Sequence, residues 1–160
     1  MTDAARLPRW RMPAEWEPHR ATWIAWPHFE PDWPGKLEPI PWVYAEIARA
    51  LATVEPVEIL CNSESVRDSA QRILTAHDVR RDRVRLHLVP LDRTWLRDSA
   101  PTGVLGADGT LSLVNWGFSG WAKYSNWEQD ANIGRAIAGI TGRAQLEPRR
   151  ADNGQRIVIE

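Results

Sequence analysis

Apolar positions along the chain recur at two periods, one of two residues and one of three to four. Across 84–89, Val84, Leu86 and Leu88 alternate with Arg85, His87 and Val89, which predicts a strand. Apolar runs at 21–26 and 57–61 predict two more. Val43, Ile47, Ala50, Leu51 and Val54 fall on one face at helical spacing and predict a helix over 42–54 with that face inward, ended by Pro56. Asn62-Ser63-Glu64-Ser65 offers N-caps for a second helix through His77, with Val66, Ala70, Ile73 and Leu74 inward.

The remainder continues the alternation. Segments 102–105 and 111–116 flank Gly106-Ala107-Asp108-Gly109, a hairpin signal with Asp-Gly in its turn. Asn126 is placed to cap a helix running to Ile140, with Ile133, Ala136, Ile137 and Ile140 inward and Gly142 as its stop. Segments 144–147 and 156–160 read as strands around a polar turn at Asp152-Asn153-Gly154. Strands interrupted by single helices indicate an α/β or α+β chain with a mixed sheet, built from similar small units.

Two loops interrupt this order. Residues 27–41 hold five prolines, and a loop of that length inside a compact domain is commonly functional or lid-like. The other lies between Pro90 and Pro101 and contains Thr94-Trp95-Leu96-Arg97-Asp98-Ser99-Ala100. It sets a carboxylate and an indole side by side just past a strand, which suits a cation with flat, delocalised charge such as a guanidinium. Equally, Trp95 reads as a core residue and Asp98 as a turn-former or the partner of a nearby arginine. Arg97 would lie on the side opposite Asp98 in an extended segment and reads as structural.

Charge narrows the function classes. Lys plus Arg number 20 against 21 for Asp plus Glu, a balance that argues against nucleic acid and against an anionic membrane surface as partners. No apolar run approaches the roughly 20 residues that span a bilayer, and residues 1–10 carry no segment of signal-peptide kind, so cytoplasmic residence is expected. Of the ten tryptophans, six precede residue 43. Trp23 and Trp26, three apart, face opposite sides of a strand and read as packing residues. Cys61, the single cysteine, closes an apolar strand with no histidine in its local segment to activate it, and reads as a buried, inert thiol. His19 and His28 read as hydrogen-bonded structural residues, while His77 and His87 carry no signal beyond a helix end and a strand.

Four motifs carry a resemblance. Arg11-Met12-Pro13-Ala14-Glu15-Trp16-Glu17-Pro18-His19, Ala21-Thr22-Trp23-Ile24-Ala25-Trp26-Pro27, the run Thr94 to Pro101, and Trp116-Gly117-Phe118-Ser119-Gly120-Trp121-Ala122-Lys123-Tyr124 together resemble the agmatine deiminases, grouped with the Porphyromonas-type peptidyl-arginine deiminases. Ala100 and Ala122 stand where that pattern usually has Gly, a change that tightens a permissive loop. Arg156-Ile157-Val158-Ile159-Glu160 resembles the strand leading into the family's Glu-Gly-Gly motif, and the family's catalytic His, Asp and nucleophilic Cys lie beyond it. The resemblance therefore implies that residues 1–160 are the N-terminal part of a single deiminase domain.

It implies further expectations. The fold would be the five-bladed α/β-propeller, or pentein, of ββαβ modules, with this chain an incomplete ring of about two to three blades. The reaction would be hydrolysis of agmatine to N-carbamoylputrescine and ammonia through a cysteine-thiouronium intermediate, a step of polyamine metabolism. Asp98 would hold the guanidinium, Trp95 would line the channel, and Glu160 would take a second share of the cation. A small cationic guanidino substrate, no metal, no organic cofactor and a homo-oligomeric complete form are expected. The chain alone would be inactive, lacking the nucleophile and its acid/base histidine. Two other readings compete: a peptidyl-arginine deiminase, disfavoured by the missing secretory segment, and a non-catalytic Trp-rich module that binds cations or sugars.

Overall fold

The computed structural model describes residues 10–158. Its first half threads β1 (Thr22–Ala25), α1 (Ile40–Leu51), β2 (Val57–Cys61), α2 (Glu64–Ala76) and β3 (Val84–Leu88) into a three-stranded sheet of order β1-β2-β3. All of its pairs are parallel, with Thr22 opposite Val57 and Val57 opposite Val84. Parallel neighbours need crossover connections, which α1 and α2 supply. The central strand β2 is buried at every position, Glu58 included, as its largely apolar run expects of a strand covered on both faces. Ser63 caps α2 by accepting the Val66 N–H at 3.3 Å.

The second half forms α3 (Leu96–Ser99), β4 (Thr102–Leu105), β5 (Leu111–Val114), α4 (Ile133–Thr141) and β6 (Ala144–Leu146). β4 and β5 make the expected antiparallel hairpin, with Gly109 in its turn at φ 80°, and β6 joins β5 in parallel. The order β4-β5-α4-β6 is one ββαβ module. Gly142 ends α4 in the left-handed conformation that favours glycine, at φ 65°. Of the strand expected over 156–160, the described residues 156–158 form isolated bridges, Arg156 with Arg149 and Val158 with Gly117. Glu160 lies outside the described residues.

Two cores flank the first sheet. On one face Val57, Ile59 and Cys61 of β2 meet Ala45, Ala48 and Ala52 from the α1 side, Ala70 and Leu74 of α2, and Trp26. The α2 face is the one its periodicity predicts. The α1 face is so only at Leu51, which packs against this core: Val43, Ile47 and Val54 are 52%, 42% and 76% exposed, whereas Ala45, Ala48 and Ala52 are wholly buried. Both stripes satisfy helical spacing, and the alanine stripe wins because small side chains let the helix lie close on a sheet already filled by Val57 and Ile59.

On the other face Ala25 and Leu60 join Val89, Leu91, Leu96, Leu113, Ile133, Ile137 and Ala138, with Trp23 packed against them. This core ties the two sheets together through α3 and α4. Trp23 and Trp26 thus serve opposite cores, as their spacing predicts. In α4 the expected Ile140 is 41% exposed and Ala138 takes its place inside. The helix also begins at Ile133, after a short 3-10 turn at Asp130–Asn132, so Asn126 does not cap it. Among the described residues no helix is long and apolar enough to cross a membrane.

Candidate functional site

Because β1 and β3 run parallel, the loops that follow them leave the sheet at the same edge, the carboxyl ends of its strands. In open α/β sheets that edge is where ligands bind. The loop after β3 is not irregular throughout: residues 96–99 close one helical turn, α3, lying against β1. Leu96 and Ser99 point inward, Leu96 into the core shared by the two sheets. Ser99 Oγ donates to the Trp95 carbonyl at 3.1 Å, and the Asp98 N–H donates to the same oxygen at 3.1 Å. Leu96 is the anchor that fixes Trp95 and Asp98 on either side of it.

That turn places the two principal candidates at the surface. Trp95 is 36% exposed, so it is not the core residue that a tryptophan would ordinarily be. Its ring packs on Trp33 from the proline-rich loop, with centroids 5.6 Å apart and planes at 34°. Asp98 is half-buried, and among the described residues its carboxylate has neither a hydrogen bond nor an ion pair. Arg97 turns away and meets Glu15 at 3.1 Å on the surface, where both are exposed. The structural reading of Arg97 therefore holds, through an ion pair rather than through an extended backbone.

Behind Trp95 the loop is held by buried polar contacts that the sequence pattern does not reveal. The Arg93 guanidinium forms an ion pair with Asp32, and both side chains are almost fully buried. Burial raises the Asp32 pKa more strongly than the Arg93 charge lowers it. Asn126, instead of capping a helix, accepts from Arg93 Nη2 at 2.9 Å. Asp130 Oδ1 accepts the N–H groups of Asp92 and Arg93, and the Gln129 N–H donates back to Asp92 Oδ2 at 2.9 Å. Burial pushes the Asp130 carboxyl up to about 6 despite those two donors.

The loop after β5 reaches the same place through a left-handed turn, with φ of 63°, 56° and 52° at Gly120, Trp121 and Ala122. Left-handed backbone is costly for residues with a Cβ, so Ala122 adopts the conformation for which glycine is the usual choice. Ala100, by contrast, is ordinary extended backbone at φ −75°.

The remaining candidates separate cleanly. Cys61 is wholly buried in the helix-side core, and burial pushes its thiol up to about 12. His19 Nδ1 lies 3.3 Å from Glu55, and His28 Nδ1 lies 3.1 Å from the Trp26 carbonyl. His77 meets Glu46 at 2.7 Å. His87, which carried no signal, stacks on Trp23 and meets buried Glu58 at 2.6 Å, while Arg85 takes the other carboxylate oxygen. Sequence reasoning missed Asp32, Trp33, Arg93 and Asp130. The available signals were a tryptophan in a proline-rich loop and an arginine two positions before Trp95.

Comparison with known proteins agrees with this architecture. The chain is 31% identical over 149 residues to an agmatine deiminase of Pseudomonas aeruginosa (strain LESB58), covering 90% of this chain and 39% of that protein. It is 33% identical over 146 residues to an agmatine deiminase of Stutzerimonas stutzeri (strain A1501), covering 88% of this chain and 38% of that protein. The solved agmatine deiminase of Enterococcus faecalis superposes with a TM-score of 0.76 at 23% identity, over 92% of this chain and 39% of that one. The chain spans about two fifths of the length of these relatives. Its two small sheets and their helices are part of an α/β-propeller of the pentein type. The sequence profile of the Porphyromonas-type peptidyl-arginine deiminases matches residues 11–160, and the chain belongs to that family.

Proposed function

We propose that this chain is the substrate-orienting portion of a guanidino hydrolase that converts agmatine to N-carbamoylputrescine and ammonia. The observation that carries this reading is the Asp98 carboxylate, half-buried and unpaired among the described residues, on the helical turn that the partly exposed Trp95 begins. An anion left without a partner, three residues from a partly exposed indole on the same turn, is complementary to a flat cation. Two carboxylate oxygens match two guanidinium N–H groups, and the pair fixes the plane in which the central carbon is presented. Trp95 lines the approach.

In the reaction, a thiolate attacks the guanidinium carbon and the C–N bond to ammonia breaks. Water then cleaves the C–S bond of the thiouronium, giving the ureido product and restoring the thiol. Cys61 does not supply that thiolate. It is enclosed in the helix-side core and its thiol is held protonated far above neutral pH. The nucleophile and its acid/base histidine come from outside these 160 residues, and Glu160 shares the cation with Asp98. Agmatine is preferred over arginine, because an α-carboxylate brought beside Asp98 is repelled and left unpaired.

The test is steady-state ammonia release from agmatine and from arginine by the full-length protein and its Asp98→Asn variant. Turnover of agmatine with a higher kcat/KM than arginine, lost in the variant, is the expected result. Equal specificity constants, or an Asp98→Asn protein within a few-fold of the parent, would overturn it.

A further inference from the structure

Arg93 is the most heavily engaged side chain of the site, and the chemistry just described assigns it no task. Its guanidinium, 7% exposed, pairs with Asp32. Its Nη2 donates to Asn126, and its central carbon lies 3.9 Å from the Tyr124 ring centroid and 5.0 Å from that of Phe29. A flat cation with one edge on a carboxylate and its face on an aromatic ring is a geometry that lysine cannot reproduce. Three loops meet at this one group: the loop after β1 through Phe29 and Asp32, the loop after β3 through Arg93 itself, and the loop after β5 through Tyr124 and Asn126.

The chain neighbours of this junction are the aromatic residues of the candidate site. Asp32 directly precedes Trp33, Arg93 lies two residues before Trp95, and those two indoles are in contact at 5.6 Å. Four side-chain atoms in the same two loops, Asp32 Oδ2, Trp33 Nε1, Arg93 Nε and Thr94 Oγ1, are buried without a hydrogen-bond partner among the described residues. Native interiors satisfy nearly all such atoms. Their concentration where the two loops touch marks hydrogen-bonding capacity that folding of these residues does not consume.

We propose that Trp33 is a second aromatic wall of the cation site beside Trp95, and that Arg93 is the positioning residue that holds it there through Asp32. The proposal rests on the guanidino-hydrolase reading and deepens it. An alkyl guanidinium is thin and apolar along its methylenes and cationic at its ends. Two indoles strip water from the methylenes and present π faces to the charge more completely than one exposed indole does. Trp33 and Arg93 thereby set affinity and the choice among alkyl guanidines, while Asp98 and the nucleophile set the chemistry.

The test uses the full-length protein with Trp33→Leu, Trp33→Phe, Trp95→Phe, Arg93→Lys and Asp32→Asn. The contact of two indoles gives an exciton couplet in far-UV circular dichroism, recognised as the component lost from both Trp33→Phe and Trp95→Phe. Arg93→Lys and Asp32→Asn are expected to weaken that couplet. Both, and Trp33→Leu, should raise the agmatine KM roughly tenfold with little change in kcat, and Trp33→Phe should recover part of the loss. A couplet unchanged by Arg93→Lys and Asp32→Asn, or a KM unmoved by Trp33→Leu, would overturn the proposal. So would a fall in kcat at constant KM. Should Arg93→Lys fail to fold, Asp32→Asn, which conserves shape, and Trp33→Phe, which keeps an aromatic ring, decide the matter. A full-length protein without agmatine turnover would defeat the hydrolase reading alone. Equilibrium titration with agmatine then still decides the wall: binding weakened by Trp33→Leu supports it, and unchanged binding overturns it.

Discussion

Asp130 Oδ1 accepts the backbone N–H of Asp92 at 2.7 Å and that of Arg93 at 3.3 Å, tying the turn before α4 to the loop that carries Trp95. Burial raises this carboxyl from its ordinary 3.8 to about 6. Since the folded value exceeds the unfolded one, the stability gained by protonating Asp130 is fully present below the unfolded pKa and is lost as pH rises through about 6. Asp130→Asn keeps an acceptor for both N–H groups without the buried charge. We expect it to stabilise the full-length protein by about 1–3 kcal/mol at pH near 8 and to lose that advantage as pH falls toward about 4. Urea unfolding of parent and variant at a series of pH values checks this; a difference that does not change with pH counts against it.

Asp98→Asn preserves shape and removes the charge at a group that folding does not use. Activity on agmatine should fall by about two orders of magnitude or more, as expected for loss of an electrostatic contact to the reacting group. Stability should stay within about 0.5 kcal/mol of the parent. Ammonia release and thermal denaturation, measured on the same preparation, separate the two effects.

Cys61→Ser should behave in the opposite way. A hydroxyl in the core formed by Val57, Ile59, Ala45 and Ala70 costs about 1–3 kcal/mol of stability, while agmatine turnover stays close to that of the parent. The native thiol should also resist iodoacetamide until denaturant is added, because its pKa of about 12 leaves almost no thiolate. Mass spectrometry of the alkylated protein reports this directly.

Ala122, at φ 52°, bears a left-handed conformation with a Cβ. Ala122→Gly should stabilise the loop by about 0.5–1 kcal/mol, the relieved strain exceeding the added chain entropy. Gly120→Ala should do the reverse, since its Cβ would come within 2.9 Å of Trp127 Cβ as well as requiring φ 63°. Thermal melts of the two variants should therefore move in opposite directions.

The two stripes of α1 make a further contrast. Ile47→Lys changes a residue 42% exposed and should leave stability within about 0.5 kcal/mol of the parent. Ala48→Leu overfills a wholly buried position and should cost about 1–3 kcal/mol. A denaturant midpoint lowered more by Ile47→Lys than by Ala48→Leu would show that the apolar stripe, not the alanine stripe, faces the sheet.

The local rules of the chain were legible without coordinates. β2 was bounded by an apolar run between Pro56 and Asn62, α2 by the Ser63 cap, the hairpin by Asp108-Gly109 and the end of α4 by Gly142, because each depends on neighbours within a few residues. The same holds for the opposed faces of Trp23 and Trp26, which follow from strand alternation, and for the inert setting of Cys61, which follows from its apolar strand and the lack of a histidine nearby in sequence. The placement of Trp95 and Asp98 together in one short loop was also visible, as an acid and an indole three residues apart. Tertiary structure decided the rest. Which of two helical stripes α1 buries depends on how closely it approaches β2, a distance that periodicity does not contain. The ion pair of Arg93 with Asp32, the contact of Trp33 with Trp95 and the acceptance of the Asp92 N–H by Asp130 join residues separated by 61, 62 and 38 positions. They come together because parallel strands deliver their following loops to one edge of the sheet, a consequence of topology that no local pattern in the chain records.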